Sequence, residues 1–105
     1  VAVVDKMRPY TLTYLKHFGY SVDQQEYMPC EICSNPSVDV HHIEAKKMGG
    51  SKLLDYIENL MGLCRVCHDD CHAEVFSIEW LKKTHVEFLT YFKEHGRFRI
   101  QNLRA

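Results

Sequence analysis

Residues 30–72 read CEICSNPSVDVHHIEAKKMGGSKLLDYIENLMGLCRVCHDDCH, and this stretch decides the fold. Two Cys-x-x-Cys pairs, Cys30/Cys33 and Cys64/Cys67, bracket the doublet His41-His42, and His68 and His72 follow at once. All five cysteines and four of the seven histidines lie inside these forty-three residues. Two cysteines separated by two residues grip one ion through a tight backbone reversal, and two such pairs complete a tetrahedral thiolate site. Cys30, Cys33, Cys64 and Cys67 are therefore expected to hold a structural Zn²⁺, whose binding free energy supplements a small core. Cys71, one helical turn after Cys67, either competes as a ligand or packs as a small buried hydrophobe.

An odd cysteine count in paired form favours zinc thiolates in a reducing, cytoplasmic compartment over a disulfide framework. The 105 residues are expected to form one domain: a helical lead-in (1–29), the metal-binding core (30–76), and a helix with a basic tail (77–105). No run of 18 apolar residues is present, so no membrane span is expected. The opening VAVVDKMRPY is too short an apolar run for a secretory signal, and with no initiator Met the sequence is expected to be a trimmed chain or a fragment. Net charge is −1, which excludes a chain that is basic throughout. The distribution is uneven: residues 1–81 hold 7 basic and 12 acidic groups, and residues 82–105 hold 6 and 2. A basic tail on a neutral body suits a polyanion.

Working outward, Pro9 fits the first turn of a helix through about Phe18, ended by Gly19. Val4, Met7, Tyr14, Leu15 and Phe18 are spaced for its apolar face. Val38–Ile43 alternates as a short strand, Gly49-Gly50 makes a turn, and residues 52–58 form a short helix or irregular loop. Residues 60–63 suit a second strand. A helix from about Arg65 puts His68 and His72, four apart, on one face. Ser77 caps a last helix, 78–95, with Gly96 just past its end; Ile78, Leu81, His85, Phe88, Leu89 and Phe92 form its core-facing stripe.

A closed four-thiolate zinc does no chemistry, so the histidines point to a second, open site. His68 and His72 supply two imidazoles. The third ligand is His41 or, second, Asp39. His42 is then available as a base, its ordinary pKa lying near neutrality. In a regular strand, however, His41 and His42 face opposite ways, so they share a site only where the strand ends or bulges.

The first Cys-x-x-Cys, VDVHHI, MGG, ENL, and LCRVCH followed by His72 together resemble the HNH endonucleases of the ββα-metal, or His-Me finger, superfamily. The resemblance implies a small α+β fold with a ββα-metal core, here zinc-stapled and flanked by N- and C-terminal helices. It makes His42 the general base and Asn59 the residue that holds the loop and orients the base. His68 becomes a metal ligand and His72 an additional one. His41 stands where many members have a metal-binding Asp and colicin-type nucleases a His. An all-imidazole set suits Zn²⁺, Ni²⁺ or Mn²⁺ better than Mg²⁺, which prefers oxygen.

The implied activity is metal-dependent hydrolysis of phosphodiester bonds by an endonuclease or nickase of a phage, mobile element, packaging or restriction system. Arg65, Lys46 and Lys47 are candidates for phosphate contact, with Lys52, Arg97, Arg99 and Arg104 as further cations. DNA, expected to be double-stranded, is the implied partner; RNA stays open because the ion reads phosphate rather than base. Nothing resembles a base-reading helix, so sequence-specific cleavage would need a homodimer, another domain or a partner. The competing reading is a non-catalytic zinc module that binds nucleic acid.

Overall fold

The computed structural model describes residues 9–21, 23–24, 28–44 and 54–104. Helix α1 (Pro9–His17) starts at the expected proline, and Gly19 follows it with φ +77°, a left-handed conformation that glycine adopts without cost. Strand β1 is Asp39–His42 and β2 is Leu60–Leu63; a single 3₁₀ turn, Ile57–Asn59, leads into β2. Helix α2 covers Arg65–His72 and α3 covers Ile78–His95. Ser77 caps α3 by accepting the Trp80 N–H at 3.1 Å, and Gly96 closes it at φ +69°. Among the described residues no helix is long and apolar enough to cross a membrane.

The strands pair antiparallel in one two-stranded sheet, with His41 opposite Met61 and His42 opposite Leu60. β2 is buried along its whole length, so its two faces feed two cores. Met61 and Leu63 join Cys30, Ile32, Ile43, Cys64, Cys67, Cys71 and Leu81 on the α2 side. Leu60 joins Val40, Tyr14, Leu15, Phe18, Met28 and Phe88 on the α1 side. The small α+β unit, a two-stranded sheet followed by α2 with a four-cysteine cluster beside it, is the ββα arrangement. Along α3 the expected stripe is buried at Leu81, His85 and Phe88 and half-buried at Leu89 and Phe92. Ile78, counted in that stripe, is instead 48% exposed, because it borders an open cavity rather than a packed neighbour.

Glu31, inside the first Cys-x-x-Cys, is fully buried and ties these layers together. Its carboxylate accepts from Tyr14 Oη at 2.5 Å, the Gly62 N–H at 3.3 Å and His85 Nδ1 at 2.7 Å. His85 Nε2 lies 2.6 Å from the Ile57 carbonyl oxygen. Both partners of His85 are pure acceptors, so both ring nitrogens carry protons and the buried imidazole is charged. Burial alone would lower its pKa; the Glu31 carboxylate and these hydrogen bonds outweigh that and raise it. For Tyr14, burial and then the same carboxylate hold the phenol well above its usual range.

Two outcomes are expected. A Cβ at Gly62 would lie 2.8 Å from Tyr14 Oη and 2.9 Å from its Cε2. Tyr14 is anchored to Glu31 and has little freedom to yield, so Gly62→Ala should destabilise by about 1–3 kcal/mol in denaturant titration. His85 binds its proton more tightly folded than unfolded. Its stabilisation is complete below the unfolded pKa of about 6.5 and is lost as pH rises through the raised folded value. The stability gap between wild type and His85→Gln should therefore shrink as pH climbs from 6.5, and a gap that widens would contradict a charged His85.

Candidate metal centres and their cleft

The first knuckle turns through residues 31–33, with the Ser34 N–H donating to the Cys30 carbonyl at 2.9 Å and Ser34 itself at φ +67°. The second knuckle is the start of α2: Cys64 is its cap, and its Sγ accepts the Cys67 N–H at 3.5 Å. One ligand atom from each of Cys30, Cys33, Cys64 and Cys67 falls within 4.8 Å of all the others. Cys33 Sγ is 3.6 Å from Cys64 Sγ and 3.8 Å from Cys67 Sγ. These are not disulfide distances, and all five cysteines are free. A tetrahedron with zinc–sulfur bonds of about 2.3 Å has edges of about 3.8 Å, so the cluster fits that ion. Burial pushes the Cys30 thiol up to about 11, and burial with the neighbouring cysteines raises Cys67 further. Cys64 goes the other way: hydrogen bonds from the Cys67 N–H and the neighbouring cysteines outweigh its burial and lower it. A bound cation is what would let all four sulfurs carry negative charge together. Cys71 is buried and lies outside the quartet; burial raises its thiol to about 11.

One turn on, His68 and His72 present Nε2 atoms 3.2 Å apart. His41 comes in from β1, its ring centroid 5.3 Å from His68 and 5.4 Å from His72, and the three form a second possible metal-binding group. Nitrogens about 2.0–2.1 Å from a tetrahedral ion stand about 3.4 Å apart, so this set too has ligand spacing. Burial, then the charges of His68, His72 and His42, hold His41 down to about 4, leaving it neutral at pH 7. Asp39, the other candidate for third ligand, takes a different place. Its Oδ2 lies 3.1 Å from His68 Nδ1. A carboxylate only accepts, so Nδ1 carries the proton and the Nε2 lone pair faces His72 and His41.

β1 stays regular, and the alternation operates as expected: Asp39 and His41 face α2, whereas His42 faces α1 and packs edge-on to Tyr10 at 4.5 Å. His42 nevertheless lines the same cleft as His41, His68 and His72, a cavity of about 670 Å³, because it is the last residue of the strand. Its Nε2 is 2.7 Å from Asp55 Oδ1, which leaves Nδ1 as the nitrogen with a lone pair. Asn59 is buried beneath. Its Oδ1 accepts the Glu44 N–H at 2.8 Å, and its Nδ2 donates to the carbonyls of Glu44 and Leu54 at 3.2 and 3.0 Å. The amide is thus committed to backbone. It clips the end of β1 to the segment that carries Asp55.

Arg65, on the exposed side of α2, pairs with Asp39 at 2.8 Å and approaches Asp69 at 3.8 Å. Lys46, Lys47, Lys52 and the Gly49-Gly50 turn lie outside the described residues, as do Val4 and Met7. Sequence reasoning passed over Asp55, Glu31 and the orienting role of Asp39. A carboxylate four residues before Asn59 carries no pattern that distinguishes it from a solvated one, and its partner is visible only in three dimensions.

Fold and site together define a zinc-stapled ββα-metal module. Residues 30–74 match the family model described as HNH endonuclease. A 59-residue stretch is 42% identical to the mitochondrial DNA mismatch repair protein mutS homolog of Sarcophyton glaucum, covering 52% of this chain but only 6% of that protein. No solved structure matches the chain. The HNH match supports nuclease activity in general and association with nucleic acid.

Orienting carboxylates typically change metal affinity by about 10–100-fold. Asp39→Ala is expected to weaken divalent-metal uptake at the imidazole trio by that factor in isothermal titration, with the cysteine centre still loaded. Unchanged affinity would show that the carboxylate does not set the His68 ring.

Proposed function

We propose that this chain is a metal-dependent DNA endonuclease or nickase module that hydrolyses phosphodiester bonds. One observation carries the reading: three imidazoles at ligand spacing and a fourth, His42, line one open cleft. The name of the relative, a DNA mismatch repair protein, supports DNA as the substrate class.

His42 Nδ1 takes the proton of the attacking water, with Asp55 on Nε2 keeping the ring in the productive tautomer. His41, His68 and His72 hold one divalent ion. That ion, when bound, supplies positive charge to the phosphate oxygens and the departing sugar oxygen. Asn59 keeps the floor of the cleft in place and does not react. Arg65 gives up Asp39 to meet a backbone phosphate. Cys30, Cys33, Cys64 and Cys67 hold the structural Zn²⁺ that fixes the start of α2, and hence the direction of His68 and His72.

The test is nicking of supercoiled plasmid by wild type and His42→Ala, with Mg²⁺, Mn²⁺, Ni²⁺ and Zn²⁺ added in turn. A general base contributes about 10²–10⁴-fold. His42→Ala should lose at least about 10²-fold in rate while keeping its zinc and its fold. No nicking by wild type with any of the four metals, alongside intact DNA binding, would favour a non-catalytic nucleic-acid-binding module.

A further inference from the structure

The basic tail does not hang free. After α3 it returns to the first knuckle, where Ser34 Oγ both accepts the Gln101 N–H and donates to the Gln101 carbonyl, each at 2.8 Å. Gln101 Nε2 donates to the Glu31 carbonyl at 3.1 Å, and the Leu103 N–H donates to the Ile32 carbonyl at 2.8 Å. These bonds deliver Arg104 to the second knuckle. There its Nη1 lies 3.7 Å from Cys67 Sγ and its Nη2 lies 2.5 Å from Asp70 Oδ2, with the guanidinium over the Phe76 ring at 5.7 Å. The cysteine it reaches is fully buried.

Four thiolates around a divalent ion leave a net charge of −2, and a guanidinium N–H aimed at one sulfur offsets part of it. We propose that Arg104 is an outer partner of the zinc centre and that residues 101–104 form a clasp governing how tightly the four-cysteine site retains its metal. The hydrogen bonds to Glu31, Ile32 and Ser34 bind the tail to one Cys-x-x-Cys, and the Arg104 side chain binds it to the other. The clasp therefore spans both halves of the site. Asp70 holds the fork in register, because a guanidinium can serve a carboxylate and a sulfur with different nitrogens, whereas an ammonium is a single point. This role is independent of any reaction in the histidine cleft.

The experiment uses the full zinc-loaded chain and its Arg104→Ala, Arg104→Lys and Arg97→Ala variants. Zinc affinity is read by competition with a coloured chelator. In parallel, Co²⁺ replaces zinc and its thiolate charge-transfer band is recorded. Arg104→Ala is expected to bind zinc about 10–100-fold more weakly and to shift the cobalt band, since a donor to the Cys67 sulfur is gone. Arg104→Lys should fall between, and Arg97→Ala, which removes an exposed charge of the same sign, should match wild type. Wild-type affinity together with an unshifted band in Arg104→Ala would overturn the proposal. Equal weakening by Arg97→Ala would overturn it as well, because it would reduce the effect to general charge.

Discussion

The structure depends on four sulfurs gathered at metal-binding distance at the point where α2 begins. Cys64 caps that helix and Cys67 sits in its first turn, so a metal held by the quartet would be fixed at the helix N-terminus. Neither apolar cluster is large, and a chain of this length buries too little surface to be generous with stability. Structural zinc in comparable small modules is associated with about 10–16 kcal/mol of binding free energy, more than a small domain's usual margin. His68 is the next residue after Cys67 and His72 follows a turn later. Whatever fixes the thiolates therefore also fixes the direction of two imidazoles in the cleft.

Three carboxylate–histidine pairs do different things on this frame. Asp39 on His68 and Asp55 on His42 each occupy one ring nitrogen of a histidine that lines the cleft and leave the other nitrogen to it for chemistry or ligation. Glu31 on His85 is wholly buried, and there both nitrogens are used. A buried ion pair gives weak net stabilisation relative to a well-packed apolar substitute, but losing one partner is costly because the other charge is stranded. What the pair does geometrically is join elements: α1, the first knuckle, β2, the 3₁₀ turn and α3 all supply groups that satisfy Glu31 and His85. The 3₁₀ turn ends at Asn59, so this network also underlies the amide that anchors the cleft floor.

Much of this was legible beforehand because spacing carried it. Cys-x-x-Cys twice, His68 and His72 four apart, Ser77 before α3 and Gly96 after it are local rules, and the structure places each as the rule requires. The HNH resemblance agrees with the family match over residues 30–74. What resisted reading was non-local. Glu31 drew no reading at all, because its partners are 17 and 54 residues away. Asp39 competed on paper as a ligand, and only its position against Nδ1 of His68 separates orienting from ligating. The strand objection to His41-His42 was sound in its premise. Its exception, a strand that ends there, is the case that applies: His42 is the last residue of β1, points to the opposite face and still borders the same opening.

The charge pattern shows the same difference between composition and position. Six cations in the last 24 residues suggested a polyanion-binding tail. Within that tail Arg99 lies 3.7 Å from Glu87, and Arg104 is turned inward to Asp70 and Cys67. Arg65, beside the cleft, is engaged with Asp39, the same carboxylate that orients His68. Asp39 thus stands between a cation that a phosphate could attract and an imidazole that a metal would need. Under the nuclease reading these demands are compatible. Drawing Arg65 toward a phosphate leaves Asp39 free to concentrate on His68 Nδ1, which makes Nε2 a better donor to the metal. Substrate binding and metal retention would then reinforce each other through one side chain, without any movement of the fold.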